Sequence, residues 1–192
     1  MNRRSAVKRI SLVGGGLLLS LGGLEVYRLF KTPSFTSLEE HRELLADLAD
    51  TIIPATDSPG AKEAGTGEFI IKMIRDCTDR KTQNKFIDGL DSLAAYTKHH
   101  YNKSFTQCRR EEKEAILRHF ELSGKPTLHG VAGKAEQRLL GESFFTVLKK
   151  YTVLGYCTSR QGATQALRYD YIPGKYTGRI PLMPNQKAWA TQ

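Results

Sequence analysis

The side chains able to do chemistry are few and scattered. Five histidines, His41, His99, His100, His119 and His129, and three cysteines, Cys77, Cys108 and Cys157, are spread along the chain. No HExxH or comparable ligand spacing occurs. His99 and His100 are adjacent, so on a helix they point about 100° apart and cannot easily share one metal ion. No CxxC pair is present, and each thiol reads first as a small buried hydrophobe. An odd cysteine count in an exported chain leaves open a Cys77–Cys108 bridge or a disulfide to a partner. The chemical alternative is a scattered nucleophile and base, Cys108 or Cys157 beside a histidine such as His119.

The glycine and carboxylate patterns add little. Gly65-x-Gly67 precedes a helical pattern but lacks the third glycine and the preceding strand of a dinucleotide fingerprint. There is no P-loop, GxSxG elbow or CxxCH haem attachment. The paired carboxylates Glu39/Glu40, Glu111/Glu112 and Asp88/Asp91 lie in helical stretches rich in opposite charge, where solvent-facing ion pairs are their common use. No catalytic, cofactor-binding or metal-binding residue is therefore assigned in this chain.

A chain of 192 residues, 40% hydrophobic and 26% charged, carries one sizeable core. Its net charge of +9 is largely terminal: residues 1–31 hold six basic side chains and one acid, leaving 23 basic against 19 acidic beyond them. Those basic residues interleave with acids, as in RREEKE at 109–114, so no phosphate-tracking stripe forms and nucleic acid is not an expected partner.

Residues 1–31 read as an address. Arg3, Arg4 and Lys8 precede a glycine-diluted apolar run from Ile10 to Leu24, the layout of a twin-arginine export signal. As a helix that run would span roughly 22 Å, short of the hydrocarbon core of about 30 Å. No small-x-small cleavage site of the A-x-A kind lies between 20 and 40, so an uncleaved anchor at the inner membrane is the alternative to a removed signal.

Residues 32–168 carry helical periodicity. Ser37 with Glu40 predicts a capping box, followed by Leu38, His41, Leu45, Leu48 and Ile52 until Pro54 ends the helix. A turn at 53–70 leads to a second helix, with Asp57 or Ser58 as cap and Pro59 in the first turn, interrupted by Gly65 and Gly67. From Glu68 the apolar face is Phe69, Ile70, Met73, Ile74 and Cys77; from Arg80 to Tyr101 it is Phe86, Leu90, Leu93 and Tyr96/Thr97. A helix over about 109–122 points Ala115, Ile116, His119 and Phe120 inward. One over about 135–156, carrying Leu139, Leu140, Phe144, Phe145, Leu148, Tyr151 and Leu154, is the expected central helix. After Gly162 a short helix runs to Tyr169. The prediction is a compact all-α domain of about five or six helices. Residues 169–192, rich in Pro and Tyr and holding the only Trp, form an extended tail that lies on its own helices or on a partner.

The segments ADLADTIIPATDSPGAKEAGTGEFI (46–70) and FFTVLKKYTVLGYCTSRQG (144–162), then Tyr169-x-x-x-Pro173-Gly174-x-Tyr176, resemble the gluconate 2-dehydrogenase subunit 3 family. Its most specific piece is Ile53-Pro54-x-Thr56-Asp57-x-Pro59-Gly60-Ala61. The resemblance implies a small, mostly helical, non-catalytic subunit of a periplasmic sugar or sugar-acid dehydrogenase. Its partner would be a large flavoprotein of the glucose-methanol-choline type carrying FAD, often with a c-type cytochrome as a third subunit. A folded-protein signal then serves a complex that crosses by the twin-arginine translocation machinery. Tyr169, Tyr171, Pro173, Tyr176 and Trp189 are the first candidates for the interface, because Tyr and Trp bury large area at low entropy cost. The rival readings are an exported helical enzyme with the scattered Cys/His site and a membrane-tethered helical module for another client.

Overall fold

The computed structural model describes residues 31–125 and 141–169, then 171, 172, 174, 178, 179, 181, 182 and 184–190. Over these residues the regular structure is helical: α1 (Phe35–Glu40), α2 (Arg42–Ile52), α3 (Thr66–Cys77), α4 (Arg80–Tyr101), a 3-10 turn (Phe105–Gln107), α5 (Arg110–Ser123), α6 (Phe144–Thr158) and a π turn (Gly162–Ala166). The all-α fold predicted from periodicity is the fold observed. Among the described residues no helix is long and apolar enough to cross a membrane.

α6 is the centre, packing against α2, α3, α4 and α5. Its inward side chains, Phe144, Val147, Leu148, Tyr151 and Tyr156, meet Leu45 and Leu48 of α2, Ile70 and Ile74 of α3, Phe86, Leu90 and Leu93 of α4 and Ile116 of α5 in one core. α3 comes close because Gly155 has no side chain: a Cβ there would stand 2.6 Å from the Phe69 ring. Helix ends are closed by side chains from neighbours. Gln83 Nε2 donates to the carbonyls of Ile74 (2.9 Å) and Arg75 (3.1 Å), satisfying carbonyls that the last turn of α3 leaves without partners. Asp79 caps α4 by accepting from the Thr82 N–H, and Asn102 ends that helix in the left-handed region at φ 53°.

Several boundaries differ from expectation. The first helix starts at Phe35, whose ring packs on the core, so Ser37 lies inside it and the Ser37/Glu40 capping box does not form. The helix breaks at His41 (ψ 13°) before continuing as α2. Residues 61–65 are a turn, and α3 begins at Thr66 behind left-handed Gly65 (φ 69°), so neither Asp57 nor Ser58 caps it. On α5, Ile116 and Leu117 face inward while Ala115 and His119 are exposed. Leu154 is 41% exposed, because the core side of α6 runs through Tyr151 and Gly155. The short helix foreseen up to Tyr169 is the π turn alone, since Leu167 turns extended and leads into a bridge with the end of the chain. Leu139, Leu140 and His129 lie outside the described residues.

Candidate functional site

The motif Ile53–Ala61 is a turn built to lie on α6. Pro54 and Pro59 donate no N–H and stop helix on either side. The loop closes on itself through Ala61 N–H to Ile53 O (2.9 Å) and Thr56 N–H to Ser58 O (3.0 Å). Gly60 is required by space: a Cβ would stand 2.5 Å from Asp50 Oδ1 and 2.8 Å from the backbone nitrogen of Ala55. The buried Tyr156 of α6 donates its hydroxyl to Pro59 O at 2.8 Å and meets Ser58 Oγ at 3.3 Å. The motif therefore joins the α2–α3 connection to the central helix. It leaves Ala55, Thr56 and Asp57 exposed at its tip.

Beside it lies the main buried charge. The Asp47 carboxylate accepts from Lys62 Nζ (2.5 Å) and Lys113 Nζ (3.0 Å), tying α2 to the turn and to α5. Lys113 also stands over the Phe105 ring, 5.4 Å from its centroid. Burial is the strongest single influence on this carboxyl and pushes its pKa up. The hydrogen bonds and charges of the two lysines together outweigh burial, and the net displacement is downward.

All three cysteines are free and the Cys77–Cys108 bridge is not formed: Cys77 is exposed at the end of α3, Cys108 is buried after the 3-10 turn, and Cys157 is half-buried. Cys108 donates its thiol to Ser104 O at 3.4 Å. Burial, reinforced by the charge of Glu112, raises its pKa, the opposite of nucleophile activation. His119 stacks on Tyr96 at 4.4 Å between centroids, and the rings of His100 and Phe120 also lie against that tyrosine. Among the described residues no three His, Cys, Asp or Glu side chains gather as a metal site. A cleft of about 450 Å³ between α2, α4 and the 3-10 turn is lined by His41, Leu44, Lys98 and Phe105, among others. Its histidine is engaged by Asp91 (2.9 Å), and its hydroxyls, Ser104 and Thr106, bond each other (2.9 Å). Of the paired carboxylates, Asp88 pairs with Lys31, Glu39 with Arg42 and Glu112 with Lys103 at the surface, and Asp91 lies 2.9 Å from His41 Nε2.

The C-terminal segment is different in kind. Tyr169, Tyr171, Ile172 and Leu182 are exposed, as are Val153 and Leu154 on α6. Trp189, a candidate for the partner interface, lies on the Arg168 guanidinium at 4.4 Å. Arg3, Arg4, Lys8, Pro173 and Tyr176 lie outside the described residues. Tyr156, Asp47 and Arg168 escaped sequence reasoning as site residues; for Tyr156 the signal was its place within the 144–162 segment.

The family model described as gluconate 2-dehydrogenase subunit 3 matches residues 39–174, which take in the motif turn, all of α2 to α6 and the start of the C-terminal segment. Comparison with curated proteins and with solved structures finds no match.

Proposed function

Because the chain belongs to the gluconate 2-dehydrogenase subunit 3 family, we propose that it is the non-catalytic small subunit of a periplasmic, flavin-dependent sugar or sugar-acid dehydrogenase. It carries the export signal and holds the catalytic chain in a stable, exportable form, a chaperone-like role. The partner is a large FAD flavoprotein of the glucose-methanol-choline type, with a c-type cytochrome as electron acceptor in a third subunit. No cofactor is assigned to this chain. One observation carries the reading. Asp47, Lys62, Lys113 and Tyr156 of the body are engaged in holding its elements together, while large apolar side chains stand exposed on the C-terminal segment, Tyr171 at 83% and Leu182 at 86%. Large exposed apolar surface marks sites of interaction with another protein.

Arg3 and Arg4 address the assembled complex to the twin-arginine machinery, and residues 1–31, where not removed, tether it to the inner membrane. Co-expression tests this. With the chain present, the flavoprotein should accumulate in the periplasm with its flavin; with Arg3→Lys/Arg4→Lys, dehydrogenase activity should remain in the cytoplasm. Normal periplasmic activity in that double variant would remove the export role, and an unchanged yield of active flavoprotein without the chain would remove the accessory role.

A further inference from the structure

The cleft of about 450 Å³ between α2, α4 and the 3-10 turn lies within the size range of small-molecule sites. Among the described residues none that lines it is acidic, while three that line it, His41, Lys98 and Lys103, can carry positive charge. Two of these three are engaged. His41 Nε2 meets Asp91 at 2.9 Å, and Lys103 stands 3.5 Å from Glu112, which also accepts from the Arg109 N–H at 2.7 Å. The Lys98 ammonium has no ion pair or hydrogen bond among the described residues. It sits one turn beyond Ala94 on the stripe of α4 that lines the cleft. Asn102, left-handed at φ 53°, uses its backbone N–H on the Lys98 carbonyl and leaves its side-chain amide unbonded. Gln107 accepts from the Ser104 N–H through Oε1, which leaves its amide nitrogen to donate. Leu44, Ala94 and Phe105 supply an apolar wall.

We propose that this cleft binds a small organic carboxylate. Lys98 is its countercharge, the Asn102 and Gln107 amides are further donors, and the apolar wall takes the carbon chain. The site belongs to this chain alone and stands whether or not the chain serves a flavoprotein. A carboxylate matches the donors: its two oxygens can accept from one ammonium and two amides, and hydrogen bonds with an ionised partner are about twice as strong as neutral ones. A phosphate or sulfate dianion matches them less well. The cleft meets α4 at its C-terminal end, which carries roughly half a negative charge, whereas multiply charged anions are favoured at helix N-termini. A neutral ligand would cover the Lys98 ammonium without giving it a countercharge. The apolar wall favours an acid with a chain over acetate, because each buried methylene group strengthens binding about fourfold. Bound there, the ligand ties α2, α4 and the turn together, so occupancy stabilises the fold.

The test titrates the isotope-labelled full chain with hexanoate, its neutral analogue hexanamide, acetate and inorganic phosphate. Two signals are read: the side-chain amide resonances of Asn102 and Gln107 by NMR, and the Tm. Hexanoate should shift both amides, bind about 10-fold or more tighter than hexanamide, and raise the Tm. Acetate should bind more weakly than hexanoate. Lys98→Gln, at an exposed side chain, should lower hexanoate affinity to that of hexanamide while leaving the Tm of the free protein unchanged, and Lys98→Arg should keep most of the affinity. Ala94→Leu keeps helix propensity and fills the cleft, so it should abolish binding of both ligands with an unaltered circular dichroism spectrum. Equal affinity for hexanoate and hexanamide would overturn the carboxylate class, and phosphate binding tighter than hexanoate would replace it by a phosphate ligand. Hexanoate shifts that persist in both Lys98→Gln and Ala94→Leu would overturn the site, as would amides unmoved by millimolar hexanoate. None of these outcomes bears on association with the flavoprotein, which co-expression decides separately.

Discussion

Replacing Asp47 by Asn removes one charge and almost no volume from the junction of α2, α5 and the motif turn. The side-chain exposures decide the magnitude: 10% for Asp47, 19% for Lys113 and 49% for Lys62. Lys62 reaches solvent and is screened, so its share is at most about 1 kcal/mol. Lys113 is largely enclosed and would be left without its countercharge. Breaking a fully buried pair costs roughly 3–5 kcal/mol, so a partly wet one should cost about 2 kcal/mol. The sum, about 2–3 kcal/mol, corresponds to a Tm lower by roughly 4–12 °C for a domain of this size. The pH dependence has a definite sign. The folded pKa of Asp47 lies below its ordinary 3.8, so the stabilisation is complete at neutral pH. It declines as the unfolded chain takes up its proton near about pH 4, and is gone once the folded carboxyl is protonated as well. Urea unfolding of both proteins from pH 7 downward should show a gap at pH 7 that closes in acid. No gap at pH 7, or one that persists below the folded pKa, would refute the reasoning.

Three further outcomes follow from the same contacts. Gly60→Ala should destabilise by about 1–3 kcal/mol in chemical unfolding, since its Cβ meets backbone at 2.8 Å as well as Asp50. Tyr156→Phe keeps the ring and loses the bond to Pro59 O, a cost of about 1–2 kcal/mol. Combined with Gly60→Ala it should fall short of additivity, because both act on one turn. Under native conditions a thiol reagent should label exposed Cys77 well before Cys108, whose thiol is buried and raised in pKa; equal rates would contradict the described burial.

The long helix α4 was legible to its ends, because Asp79 and the basic last turn Lys98-His99-His100 mark both termini in local sequence. The start of α1 was not, because the Phe35 ring reaches the core and extends the helix past a plausible capping box. The motif turn was legible as a specific sequence and illegible as a contact: its partner, Tyr156, is 97 positions from Pro59. Asp47 likewise finds Lys113 across 66 positions, a pairing that local periodicity does not encode. The composition of the C-terminal segment did not reveal the bridge between Arg168 and Trp189. An aromatic such as Trp189 looks the same in sequence whether it is offered to a partner or laid on the chain's own arginine.

The central claim is association with a flavoprotein, and native affinity purification of the tagged chain from its own cells, with an absorbance spectrum of the eluate, tests it most directly. The account predicts a yellow complex of this chain with one large flavoprotein that oxidises a sugar or sugar acid. A colourless protein recovered alone from cells that express the flavoprotein would contradict it.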